Sequence, residues 1–233
     1  MLKVNKSYQR GSTKIDWLES YHGFSFGNYY DPAKMAFGPI RVFNDDYISA
    51  SGGFPTHPHA NMEIITYVIS GSLEHADSTG TNQIIEANEL QKMTAGFGVQ
   101  HSEFNPSDKD DVHLLQIWIM PDTKGLTPSY QKLNFADTNI NNQLVKVAAK
   151  ENQDGVIYVS QNIEVFLSKL LEKNTLLLEN KNRQGIYIFC IDGVLSINGH
   201  QIDKGDSVEI TYEEILEIKA KENSHFILFE FPL

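Results

Sequence analysis

A single cysteine, Cys190, excludes an intramolecular disulfide. It lies in an apolar run and reads as a buried thiol, the usual place for a free cysteine. Long hydrophobic runs are missing as well. No stretch reaches the roughly 18–20 apolar residues of a spanning helix, so no membrane span is expected. The opening residues, MLKVNKSYQRGSTKIDW, lack an apolar segment followed by a small-residue cleavage site, so no secretory leader is expected there. These absences point to a cytoplasmic protein. Positive charge is also scarce: 19 Lys and Arg face 30 Asp and Glu, for a net charge of −11. A phosphate backbone is held by clustered cations. Here the cations are scattered, and direct nucleic-acid binding is not expected. The acidic run Asp108-Lys109-Asp110-Asp111 reads as a solvated loop.

Helical periodicity is nearly absent, and short strand-like runs fill the chain. Residues 64–69 (IITYVI) end at Ser70-Gly71-Ser72, residues 113–120 (HLLQIWIM) stop at Pro121, and residues 186–191 (IYIFCI) end at Asp192-Gly193. Residues 194–197 turn at Asn198-Gly199, a favoured two-residue hairpin signal. Residues 226–231 form another apolar run. The stretch 164–178 (EVFLSKLLEKNTLLL) fits either one helix or two strands around Lys173-Asn174. Many short strands separated by turns predict an all-β sandwich or barrel. Residues 134–143 (NFADTNINNQ) are polar and read as a linker, dividing the chain into domains at 1–133 and 134–233. A weak repeat joins the two parts. Each has an apolar strand running into a glycine hairpin (Gly71, Gly193), then a second turn (Asn88-Glu89, Gly205-Asp206).

Eight histidines are present, and their spacing is informative. His57 and His59 are two apart, so in a strand both face one side. His101 and Glu103 repeat that spacing. Either pair alone reads more readily as surface or core side chains than as ligands. Together, each behind glycine-rich backbone, they offer three imidazoles and a carboxylate, a set suited to Fe, Mn, Ni, Cu or Zn with positions left open. His75 and Asp77 also share a strand face; they read as a surface pair or as support behind a ligand imidazole. His22, His113, His200 and His225 lack such a partner and read as structural or exposed. Asn44-Asp45-Asp46 reads as a turn. Phe54, Met62 and Phe97 flank the candidate ligands and would line an apolar pocket.

The run from Gly53 to Glu63 (GFPTHPHANME) resembles the first cupin motif, and that from Gly98 to Asn105 (GVQHSEFN) the second. More narrowly the chain resembles the pirins. The matching blocks are FSFGNYYDP from Phe24, RVFNDD from Arg41, His57-Pro58-His59, MTAGFG from Met93, His101-Ser102-Glu103 and QIWIMP from Gln116. The resemblance implies a bicupin, two tandem cupin β-barrels of sandwich or jelly-roll type. It implies one mononuclear divalent metal in the N-terminal barrel, iron foremost, with Zn, Ni, Cu, Mn and Co as alternatives. The family ligands fall on His57, His59, His101 and Glu103. Ordinary cupins draw the carboxylate from the first motif, which would be Glu63; the pirin pattern favours Glu103. Gly96 stands where the second motif usually has proline. Sliding the repeat onto itself places Glu179, Lys181, Ile218 and Ala220 at the ligand positions of the second barrel, which would therefore hold no metal.

The activity implied is dioxygenation of a flavonol such as quercetin, with O₂ as co-substrate and Glu103 as catalytic base. The alternative is a non-catalytic metal- or redox-sensing protein that modulates a protein partner, and a zinc-dependent cupin isomerase is a third reading. No apolar strip is left over, so a monomer is expected.

Overall fold

The computed structural model describes residues 1–180, 182 and 184–233, and strands make up nearly all of its regular structure, with one short 3₁₀ turn at Ser7–Gln9. Residues that tolerate left-handed backbone punctuate the strands: Asn88, Lys173, Asn198, Gly199 and Gly205 all have φ between +46° and +82°. The Lys173 turn settles the ambiguous stretch as two strands, Glu164–Leu170 and Thr175–Glu179. Within the first, side chains alternate between core and surface for most of its length, which a helix would not produce.

The strands fall into two units. One comprises residues 11–138 with 159–161; the other comprises residues 1–10, 139–158 and 162–233. Each is built from a seven-stranded sheet and a four-stranded sheet, with linear strand orders. They are open-sheet jelly rolls of sandwich type rather than closed cylinders.

In the N-terminal unit the large sheet runs Ser129–Asn134, Glu89–Thr94, Glu63–Ser70, Val112–Ile119, Ile40–Ile48, Leu18–His22 and Gly11–Ile15. The small sheet runs Gly53–His59, Val99–Phe104, Ser72–Asp77 and Asn82–Glu86. Leu18, Ile48, Val68, Leu73, Ile85, Val112 and Leu114 form one buried cluster. A second is formed by Ile64, Met93, Ala95 and Val99.

The C-terminal unit repeats the order. Its large sheet runs Leu2–Asn5, Ser207–Ile210, Gly185–Asp192, Ser224–Phe231, Glu164–Leu170, Val145–Ala149 and Ile157–Tyr158. Its small sheet runs Thr175–Glu179, Ile215–Ala220, Val194–Ile197 and His200–Asp203. The repeat seen in the sequence is thus a repeat of topology. Gly71 and Gly193 mark equivalent points and are required for equivalent reasons. Both have positive φ (+76° and +81°), and an added Cβ would stand 2.7 Å from the Asp111 carbonyl oxygen or 2.3 Å from that of Asn223. The C-terminal interior is filled by Ile186, Ile188, Cys190, Leu195, Ile197, Leu216, Ile218, Phe226 and Leu228. Burial pushes the Cys190 thiol up to about 12, so the single cysteine is unreactive.

Candidate metal centre

The edge strand Gly53–His59 pairs with Val99–Phe104, which pairs in turn with Ser72–Asp77, all antiparallel. The register sets His57 opposite His101 and Phe54 opposite Glu103. Between these pairs the edge strand carries one extra residue, a bulge of the kind that re-aims side chains beside a site. Pro58, which has no N–H to give a ladder, sits on this edge. The turn leading into Val99–Phe104 contains Gly96 at φ +51°, where a Cβ would lie 1.9 Å from the Leu126 carbonyl oxygen. Proline cannot adopt that φ. The departure from the usual cupin motif therefore follows from the geometry of this turn.

The three imidazoles converge. Ring centroids are 4.8 Å apart for His57–His59, 4.5 Å for His57–His101 and 4.9 Å for His59–His101. One donor nitrogen from each lies within 4.8 Å of the other two. Glu103 joins a second grouping that shares His101 and adds His75. His57 Nδ1–H donates to the Pro55 carbonyl at 2.8 Å, which fixes the tautomer and leaves Nε2 as a bare lone pair. His59 Nε2 and both ring nitrogens of His101 are buried without a hydrogen-bond partner. Burial, helped by the His57 charge, pushes His59 down to about 4. Burial, with the charges of His57, His59 and His75, pushes His101 down to about 2. These rings are neutral at physiological pH, the form that binds a metal. Partnerless lone pairs converging from neutral rings, with a carboxylate adjacent, fit a mononuclear divalent metal.

Glu103 is 2 % exposed. Gln116 Nε2–H donates to its Oε2 at 2.7 Å and Gln91 Nε2–H to its Oε1 at 3.0 Å. Burial outweighs these hydrogen bonds and raises the carboxyl to about 7. Glu63, the alternative carboxylate, is turned elsewhere: it accepts from Thr94 Oγ1–H and the Ser160 backbone N–H, and lies 3.8 Å from the buried ammonium of Lys92.

A cavity of about 480 Å³ opens beside the imidazoles. Trp17, Phe26, Phe54, Ile64 and Trp118 give it apolar walls, and Glu103 and His101 lie in its lining. Phe54 is where the sequence placed it. Met62 packs against the cluster around Met93, and Phe97 is 69 % exposed, so neither lines the cavity. His22, read from the sequence as structural or exposed, is a buried part of the wall. It donates from Nδ1 to Asn44 Oδ1 and accepts from the Thr13 hydroxyl, both at 2.9 Å. Asn44-Asp45-Asp46 is no turn: it lies inside strand Ile40–Ile48, with Asn44 and Asp46 on the cavity side. Asp45, on the other face, pairs with His113 at 2.7 Å. His75 and Asp77 are a buried pair rather than a surface one.

Register also refines the second unit. Glu103 faces His75 as Ile218 faces Ile197, and His101 faces His57 as Leu216 faces Leu178. The counterparts of His101 and Glu103 are therefore Leu216 and Ile218, both fully buried, rather than Ile218 and Ala220. Leu178 and Asn180 replace Glu179 at the other pair; Lys181 lies outside the described residues.

A jelly roll whose small sheet aims neutral imidazoles and a carboxyl into an apolar cavity is the arrangement of a cupin. The comparisons narrow this: the Pirin family model matches residues 3–119, and the model of the quercetinase C-terminal cupin domain matches 146–231. The chain belongs to the pirin family. It is 40% identical over 232 residues to a quercetin 2,3-dioxygenase of Escherichia coli (strain K12), covering 100% of this chain and 99% of that one. The bacterial pirin YhhW of Escherichia coli, solved in complex with nickel(II), superposes with a TM-score of 0.95 at 39% identity, covering 100% and 99% of the two chains. GK1651 of Geobacillus kaustophilus shares the fold, with a TM-score of 0.80 at 23% identity over 99% and 94%.

Proposed function

We propose that the protein is a metal-dependent dioxygenase that opens the central ring of a flavonol such as quercetin. His57, His59 and His101 hold one divalent metal, with iron the expected ion, and Glu103 completes the set. The observation that carries this reading is a buried carboxyl beside three converging imidazoles, in a cavity walled by aromatic side chains. The E. coli relative's name and the nickel-bound E. coli pirin point the same way.

When bound, the metal supplies Lewis acidity and a place where an enolised substrate and O₂ meet. The chain's own residues do the rest. Trp17, Phe26, Phe54 and Trp118 bind the flat rings and exclude water. Gln116 and Gln91 hold the Glu103 carboxylate in place. Glu103 takes the proton of the 3-hydroxyl, the general-base role that a carboxylate in hydrogen-bond reach of that group can fill. The products, a depside and carbon monoxide, account for every atom of flavonol plus O₂.

Replacing Glu103 by Gln keeps the shape and removes the base. The expected result is a protein that retains part of its metal and turns over quercetin about 10²–10⁴-fold more slowly. Flavonol absorbance, O₂ uptake and carbon monoxide release measure this. Full activity of the variant would remove Glu103 from the mechanism.

A further inference from the structure

A buried imidazole with one unpaired nitrogen, His75, lies beside His101. His75 is fully buried, and its Nε2–H donates to Asp77 Oδ2 at 3.1 Å. Asp77 is itself held from several sides: its Oδ1 accepts the Thr79 hydroxyl at 2.6 Å and the backbone N–H groups of Thr79 and Thr81 at 2.8 and 3.2 Å. With Nε2 so engaged, His75 Nδ1 is a lone pair, and it is buried with no partner. Tyr130 covers the ring at 5.0 Å between centroids.

The ring beside it is His101, at 5.3 Å between centroids, and one donor atom from each of His75, His101 and Glu103 lies within 4.8 Å of the other two. A metal uses one nitrogen of His101. The other then carries a buried N–H, and a buried N–H needs an acceptor. His57 solves the same problem with the Pro55 carbonyl. For His101 the adjacent acceptors are Glu103, which already serves Gln116 and Gln91 and is read here as a metal ligand, and His75, whose Nδ1 serves no partner.

We propose that His75 is a positioning residue for His101: its Nδ1, bared and aimed by Asp77, accepts the ring N–H that the metal does not use. A modest turn of either ring about its broad terminal torsion closes the bond. Metal-bound histidines are commonly steadied in this way, and losing such support costs about 10–100-fold in metal affinity. The inference rests on the reading of His101 as a ligand and is independent of the substrate.

The test uses the full chain loaded with cobalt(II) alone, without flavonol or O₂, so the outcome is separate from that of the dioxygenase reading. Paramagnetic proton NMR counts the ligand imidazoles and follows their exchangeable N–H signals. The wild type should show one such signal that exchanges slowly. His75→Phe should abolish it and weaken cobalt binding about 10–100-fold. His75→Gln, which restores an acceptor oxygen, should recover part of both, and Asp77→Asn should shift the signal. Should His75→Phe fail to fold, the Gln and Asn variants carry the comparison. A slow signal and cobalt affinity unchanged across these variants would overturn the proposal. So would the loss of one imidazole from the cobalt ligand count, since His75 would then be a ligand itself.

Discussion

Glu103 and Asp46 are two buried carboxyls in the lining of one cavity, and burial raises both to about 7. Asp46 is 2 % exposed and accepts from the Ser20 hydroxyl; the charges of Asp45 and Glu103 add to the upward push. Its folded value lies above the unfolded one, so the native state binds the extra proton between about pH 4 and 7. The stability linked to that proton is fully present below pH 4 and is lost as the pH rises through 7. Asp46→Asn keeps the acceptor and never ionises. Denaturant melts of the metal-stripped wild type and variant should agree near pH 4. They should diverge by roughly 2–4 kcal/mol in the variant's favour by pH 8. A constant difference across that range would mean that Asp46 ionises normally. At this scale the sequence was readable where spacing decides which side chains share a strand face, as for the convergence of His57, His59 and His101. It was unreadable where partners come from other strands. Asn and Asp in a row signal a turn. Here Ser20 and His22 partner Asp46 and Asn44 on the inner face of a strand, and His113 partners Asp45 on its outer face.

At the scale of elements, one device occurs twice. In the C-terminal unit Asp206, 1 % exposed, gathers Lys6 Nζ at 2.6 Å and the Ser7 backbone N–H at 2.7 Å, fastening the segment that follows edge strand Leu2–Asn5. In the N-terminal unit Glu89, at the matching turn, accepts from Lys132 Nζ at 2.9 Å and Asn134 Nδ2 at 3.1 Å, fastening edge strand Ser129–Asn134. Asp206→Ala removes the shortest contact of the Lys6 ammonium, which keeps Asp203, and leaves the backbone N–H groups of Ser7 and Asp203 without their acceptor. It should lower unfolding stability by about 1–3 kcal/mol, measured by denaturant titration. An unchanged midpoint would show the arm to be held by its strand pairing alone. The turn at Gly205-Asp206 was legible from composition. Its partner was not, because Lys6 lies some 200 positions away and sequence carries no mark of so distant an ion pair.

Across the whole molecule, the two units share a strand order and differ in what fills the space between their sheets. One places imidazoles and a carboxyl at the positions where the other has Leu178, Leu216 and Ile218. Fully burying one such aliphatic side chain contributes roughly 1.5–3 kcal/mol. The ligand-bearing unit forgoes that gain to keep its cavity. The duplication was visible in the sequence through its glycine hairpins. The origin of the strand Leu2–Asn5 was not: it completes a sheet made otherwise of residues 145–231. Removing residues 1–10 should expose the backbone of Ser207–Ile210 as a free edge. The shortened protein should show a lower melting temperature for the C-terminal unit and concentration-dependent aggregation in light scattering. Unaltered melting and scattering would mean that this edge needs no cover.

That strand also sets an order of events in synthesis. Translation delivers Leu2–Asn5 some 200 positions before Ser207–Ile210, its partner. Domains otherwise tend to fold in the order they emerge. Here Leu2–Asn5 waits, unpaired and partly apolar, while the residues between the two strands are made. A chaperone or a nascent-chain probe should find it accessible until Ser207–Ile210 is released.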